Sequence, residues 1–185
     1  MEDIRTEQAL NIPNLLTMLR IGLLPVIIWR FRLGDLRGTL VLYLLAMLTD
    51  LLDGMIARRF GQITALGKLL DPLADKLSLI TLIGLFVSAG QIPGWVLWFV
   101  LIKEVLLIAG SAAVLTKGVV VYAMPVGKAT TAVFAASMTA RLLAFNRAAN
   151  ILMGAFLLLS VLSLLWYLAA GMEKLRSDPI YHIES

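Results

Sequence analysis

Four aspartates, Asp50, Asp53, Asp71 and Asp75, stand within 26 positions of a 185-residue chain that carries only twelve acidic residues. Asp50 and Asp53 are three residues apart and Asp71 and Asp75 four, so each pair shares one face if its segment is helical. Both segments are otherwise apolar, and an uncompensated carboxylate at membrane depth is costly. A shared divalent cation compensates all four. The chain has no cysteine, and its one histidine, His182, lies in the distant tail. All-oxygen ligation therefore favours Mg²⁺ or Mn²⁺ over Zn²⁺, and four acids suffice to bridge two ions. Hard cations held by carboxylates complete their shells with water and phosphate oxygens, which points to a phosphoryl or diphosphate substrate.

The neighbours of the acids fit that chemistry. Gly54 and Ala57 remove bulk one and four residues after Asp53, so that a ligand or another helix can approach the backbone. Arg58 offers a planar, bidentate donor to phosphate. Gly67 opens the next segment beside the site, and Lys68 adds positive charge. Taken singly, these small residues read sooner as helix-packing notches, and acids near helix ends are often merely solvated. Four acids paired at helical period tip the reading towards metal.

The elements that must carry these residues are membrane helices. The chain is 60% hydrophobic and 15% charged, with a mean hydropathy of +0.90, where soluble domains run nearer 45–50% and about 25%. That excludes a water-soluble enzyme and a disordered chain. The net charge of +4 lacks the aromatic-interleaved basic stripe of a nucleic-acid binder, so no nucleic acid is expected and the basic residues serve orientation and anionic lipid or phosphate contact. Residues 1–13 read as an interfacial lead-in. Six spans follow: 14–31 with a kink at Pro25; 39–59; a third opening at Gly67 after the short loop FGQITAL; 92–116; 125–146; and 148–170. Residues 171–185 read as a polar, frayed tail. The expected fold is thus all-α, a six-helix integral membrane bundle with a short interfacial helix, forming one domain over 1–185. The loop lets the second and third helices pack antiparallel with their acid pairs facing each other. Placing both termini in the cytoplasm puts eight basic residues inside, Arg58, Arg59, Lys68 and Lys128 among them, against five outside, Arg141 among them.

Asp50-x-x-Asp53-Gly54-x-x-Ala57-Arg58, then eight residues, then Gly67-x-x-x-Asp71-x-x-x-Asp75, resembles the signature of the CDP-alcohol phosphotransferase family at every fixed position. The segments NIPNLLTMLRI and MPVGKATT are similar to the phosphatidylglycerophosphate synthase branch. The resemblance implies a multi-pass membrane enzyme, commonly a homodimer, that transfers a phosphatidyl group from CDP-diacylglycerol to an alcohol and releases CMP. It implies that Asp50, Asp53, Asp71 and Asp75 hold two divalent ions, that Asp75 is also the general base, and that Asp50, Gly54, Ala57, Arg58 and Gly67 contact the CDP donor. It implies a bacterial type of plasma membrane, with the site facing the cytoplasm.

The signature concerns the donor half of the reaction. Glycerol 3-phosphate is the expected acceptor, and its dianion needs cations, for which Lys128, Lys103, Arg141, Lys68 and Arg20 are the candidates, Lys128 first. Arg20 and Lys103 each have a second reading, pairing with a neighbouring acid. Lys103 precedes Glu104 where related synthases commonly carry arginine. Asn14 and Thr17 either contact nucleotide or cap the first helix. Phosphatidylglycerol, as in cardiolipin synthesis, or an inositol phosphate is an alternative acceptor. A cation transporter or channel is the alternative of a different class, since transporters also bury carboxylates; a scaffold that binds CDP-lipid without turnover is another.

Overall fold

The computed structural model describes residues 11–60, 64–115 and 125–177. Six helices follow in order: α1 (Ile12–Arg32), α2 (Leu36–Phe60), α3 (Ala65–Ser88), α4 (Gly94–Leu115), α5 (Pro125–Leu142) and α6 (Asn146–Ser177). No strand occurs among the described residues. All six expected helices are present, with shifted ends. α2 and α3 each extend into FGQITAL, leaving a shorter connection. α6 runs to Ser177 and takes in part of the segment read as a frayed tail, because Glu173, Lys174, Leu175 and Arg176 are good helix formers with no proline before Pro179. α1 is one helix through Pro25. The interfacial reading of the first ten residues and the tail residue His182 lie outside the described residues.

By internal packing the chain separates into two units, Met1–Leu97 and Trp98–Ser185. In the first, α1 packs on both α2 and α3. Phe31 and Phe86 meet edge to face at 5.1 Å, and Leu24, Ile27, Tyr43, Leu82 and Ile83 fill the interior. Among the described residues α2 and α3 make little direct contact with each other. The expected α2–α3 pair is therefore a three-helix arrangement organised by α1. In the second unit α5 packs on α6. Ala149 is fully buried there, and its carbonyl accepts a 2.9 Å bond from the Ser137 hydroxyl. Small residues allow this close approach between membrane helices, and Phe134 and Phe156 pack beside it at 5.2 Å.

The outward faces are apolar and the inward ones partly polar. Leu15, Leu19 and Val26 on α1, Val41, Leu45 and Leu48 on α2, and Ile151, Leu158 and Leu162 on α6 are exposed, while Asn14, Thr17, Arg20 and Asp53 are buried. That inversion suits hydrocarbon as the surrounding solvent. α1, residues Leu36–Ala57 of α2 and residues Asn146–Ala170 of α6 are long and apolar enough to cross a membrane.

Three helices end alike. The Gly34 N–H donates to Phe31 and that of Asp35 to Arg30; Gly90 donates to Val87 and Gln91 to Phe86; Ala144 donates to Arg141 and Phe145 to Ala140. Each is a Schellman cap, whose turning residue takes positive φ. Gly34 and Gly90 supply it at φ 75° and 69°, but the third turn uses Ala144 at φ 61°. Ala144→Gly is expected to stabilise the second unit by ~0.5–1 kcal/mol, read as a higher midpoint of thermal unfolding in detergent. A lower midpoint would mean that the Ala144 methyl contributes packing worth more than its backbone strain.

Candidate metal and substrate site

The site begins on α1. Asn11 caps that helix, its side chain accepting the Asn14 N–H at 2.9 Å. Asn14, Thr17 and Arg20 then recur every three residues on one face, and all three are buried. The cap is thus Asn11 rather than Asn14 or Thr17. Arg20 projects to where the acids of α2 and α3 converge. One terminal nitrogen lies 2.6 Å from Asp50 Oδ1 and 2.8 Å from Asp75 Oδ1; the other bonds Asp53 Oδ2 and stands 3.6 Å from Asp71 Oδ1. One guanidinium touches all four signature carboxylates. The Thr17 hydroxyl lies 3.3 Å from Asp53 Oδ2 and 3.1 Å from the Pro13 carbonyl.

Exposure divides the acids. The Asp53 side chain is 3% exposed, like that of Arg20, whereas Asp50, Asp71 and Asp75 are 44%, 48% and 59% exposed. The site thus has a closed rear, formed by α1, and an open front. The donor set suits a hard divalent cation: Asp50, Asp53 and Asp71 each offer an oxygen, and these lie within 4.8 Å of one another. Asp71 Oδ1 is buried and, among the described residues, accepts no hydrogen bond. Its nearest cationic group is the Arg20 guanidinium at 3.6 Å, too long for a hydrogen bond, so this oxygen keeps a lone pair that a hard cation could take.

A second cluster sets the opening of α3. Thr64 caps α3 by accepting the Gly67 N–H at 3.0 Å, and the Asn14 amide donates to the same hydroxyl at 3.0 Å. A Cβ on Gly67 would come within 2.6 Å of Asn14 Oδ1 and 3.1 Å of Thr64 Oγ1. Gly67 thus gives Asn14 and Thr64 room to approach the start of α3 closely. The signal for this cap is local: a threonine three residues before a helical amide is an N-cap residue type. Gly67→Ala is expected to destabilise the protein by about 1–3 kcal/mol, and by less in an Asn14→Ala background, since that change removes the clashing oxygen. Equal losses in the two backgrounds would disprove the clash.

The remaining candidates lie on α2, α3, α4 and α5. Gly54 and Ala57 are half-buried on α2. Arg58 and Lys68 lie on α2 and α3, with side chains outside the described residues. Lys103 pairs with its neighbour Glu104 at 2.8 Å, both side chains nearly buried, so its neighbour-acid reading is the one found. Lys128 is exposed near the start of α5. Arg141 is buried at the far end of α5 and donates to Asn150 Oδ1 at 2.7 Å. Thirteen residues of helix, about 20 Å, separate Lys128 from Arg141. One small phosphate cannot meet both. Arg20 is already engaged by the four aspartates.

The arrangement is an acidic site built from three helices, able to hold a divalent cation against an anionic ligand. The family model for CDP-alcohol phosphatidyltransferase matches residues 10–167, taking in the helices that build the site. The chain belongs to the CDP-alcohol phosphatidyltransferase family. Members named for two acceptors resemble it. A cardiolipin synthase (CMP-forming) of Rattus norvegicus is 44% identical over 56% of this chain and 34% of its own length. One of Streptomyces coelicolor is 36% identical over 57% of this chain and 52% of its own. A CDP-diacylglycerol–glycerol-3-phosphate 3-phosphatidyltransferase of Rickettsia bellii is 48% identical over 36% of this chain and 39% of its own. The chain thus matches about a third to a half of the length of these relatives. Its family and its exposed apolar helices mark it as a membrane-embedded protein.

Proposed function

We propose that the protein transfers the phosphatidyl group of CDP-diacylglycerol to glycerol 3-phosphate, forming phosphatidylglycerophosphate and CMP. The observation that carries this reading is the convergence of four aspartates from α2 and α3 on one point, closed behind and open in front. Asp50, Asp53, Asp71 and Asp75 would hold two Mg²⁺ or Mn²⁺ ions, which when bound offset the charge developing on the CMP leaving group. Asp75, the most exposed of the four, accepts the proton of the acceptor hydroxyl. The acceptor oxygen bonds to the lipid-bearing phosphorus as the bond from that phosphorus to CMP breaks, and CMP departs with the electron pair. No enzyme nucleophile is required. Asp50, Gly54, Ala57, Arg58 and Gly67 line the donor side in this reading, with Asn14 close against Gly67. Lys128 is the foremost acceptor cation in this reading.

Phosphatidylglycerol is the second acceptor, favoured by the relatives named cardiolipin synthase, which align with 56% and 57% of the chain against 36% for the Rickettsia protein. We further infer a multi-pass protein of a bacterial plasma membrane, homodimeric, with the site facing the cytoplasm. The fixed positive charge of Arg20 amid the acids argues against a cation path, since an ion crossing there would meet it directly. The test is to supply purified protein with CDP-diacylglycerol, Mg²⁺ and, separately, glycerol 3-phosphate, phosphatidylglycerol or inositol phosphate, and to measure CMP and lipid product. Product with glycerol 3-phosphate, lost in chelator and restored by Mg²⁺ or Mn²⁺, supports the first reading. Product with phosphatidylglycerol alone selects the second, and CMP with no acceptor at all sinks both.

A further inference from the structure

The buried guanidinium of α1 has no part in the donor signature, yet it reaches every acid of that signature. We propose that Arg20 is the resident counter-cation of the site, binding the four carboxylates when no metal is present and competing with divalent cations for them. This rests on the reading of the aspartates as metal ligands. Four ionised carboxylates around one guanidinium carry more negative charge than that guanidinium offsets. Oxygens of three of these carboxylates lie within 4.8 Å of one another, where like charges repel strongly in a medium poorer than water. Arg20 relieves that repulsion by presenting its two terminal nitrogens to two acids each, the fork geometry that lysine lacks.

Arg20 is poorly placed to leave. Its side chain is 3% exposed, on a helix that packs against both α2 and α3. A divalent ion entering from the open front therefore shares carboxylates with a fixed positive charge a few ångströms behind it. The two cations attract the same oxygens and repel each other, so their binding is antagonistic whether the guanidinium shifts or stays. By linkage, what Arg20 contributes to the metal-free fold it subtracts from metal affinity. The device keeps an acid-rich site folded before loading and keeps the bound ions from being held too tightly.

The experiment uses the full chain in detergent as wild type, Arg20→Gln and Arg20→Lys. Free Mn²⁺ is titrated by its electron paramagnetic resonance signal, and thermal unfolding is followed in chelator and in saturating Mn²⁺. Arg20→Gln is expected to melt lower in chelator, to bind Mn²⁺ tighter by on the order of tenfold, and to show a larger Mn²⁺-induced rise in midpoint. Arg20→Lys, which keeps the charge and loses the fork, falls between. Equal loss of midpoint with and without Mn²⁺, at unchanged affinity, would make Arg20 a structural residue only and overturn the proposal; so would weaker Mn²⁺ binding. If Arg20→Gln does not fold even in Mn²⁺, Arg20→Lys decides by the same readouts: tighter Mn²⁺ with a lower chelator midpoint supports the proposal, and unchanged or weaker binding overturns it. Wild-type protein that binds no Mn²⁺ defeats the metal reading itself, an outcome distinct from the others.

Discussion

Asp75→Asn is expected to lower kcat by roughly 10²- to 10⁴-fold at saturating Mn²⁺, the range for loss of a general base, while donor binding stays close to wild type. The amide is nearly isosteric and keeps an oxygen to accept the 2.8 Å bond from Arg20, so the site retains its shape. What it loses is a group able to take a proton, together with a negative charge towards the ions that saturating Mn²⁺ offsets. Asp75 is also the most exposed of the four acids, at 59%, where an incoming hydroxyl can reach it. CMP release gives the rate, and a binding isotherm with CDP-diacylglycerol separates chemistry from donor affinity. A wild-type rate in this variant would remove Asp75 from proton transfer; a defect confined to donor affinity would make it a binding residue alone.

The second large effect is at Asp53, and it differs in kind. Asp53→Asn should impair donor binding and also destabilise the metal-free protein by about 2 kcal/mol or more, the cost of weakening a buried charge-assisted bond. Asp53 is the buried member of the cluster, and its Oδ2 meets both the Arg20 guanidinium and the Thr17 hydroxyl. The amide carries no charge to balance Arg20 and adds a donor in a pocket that supplies donors. Asp75→Asn, at the open front, should leave the unfolding midpoint in chelator within a degree or two of wild type, since partly exposed pairs contribute little. Midpoints measured side by side test the contrast. Equal midpoints for the two variants would mean that burial does not distinguish these acids.

The fold was largely legible because its signals are local. Runs of apolar residues marked all six helices, and the missed ends have local causes: α6 absorbed Glu173–Arg176 because nothing in that stretch stops a helix, and Thr64 starts α3 as an N-cap. The site was legible in one half. The four aspartates betray themselves by helical spacing in apolar surroundings, where each is too costly to be incidental. Arg20, by contrast, read as an acceptor cation or an ion-pair partner, and Gly67 as a donor contact or a packing notch. In both cases the sequence held two readings, and the contacts the structure adds lie far along the chain: Asp53 is 33 residues from Arg20, and Thr64 is 50 from Asn14.

Hydropathy and the 3.6-residue period are sums over neighbours, so the chain alone dictated a helical membrane protein with acids on matched helix faces, and with them the expectation of hard cations and phosphates. Which cation lies among those acids, and that α1 rather than a direct α2–α3 contact gathers them, depends on distances between helices. Those distances follow from side-chain packing and from the repulsion of like charges, and no local repeat encodes them. Residue type and spacing thus supplied the ligands, whereas three-dimensional packing supplied the positive charge that holds them together.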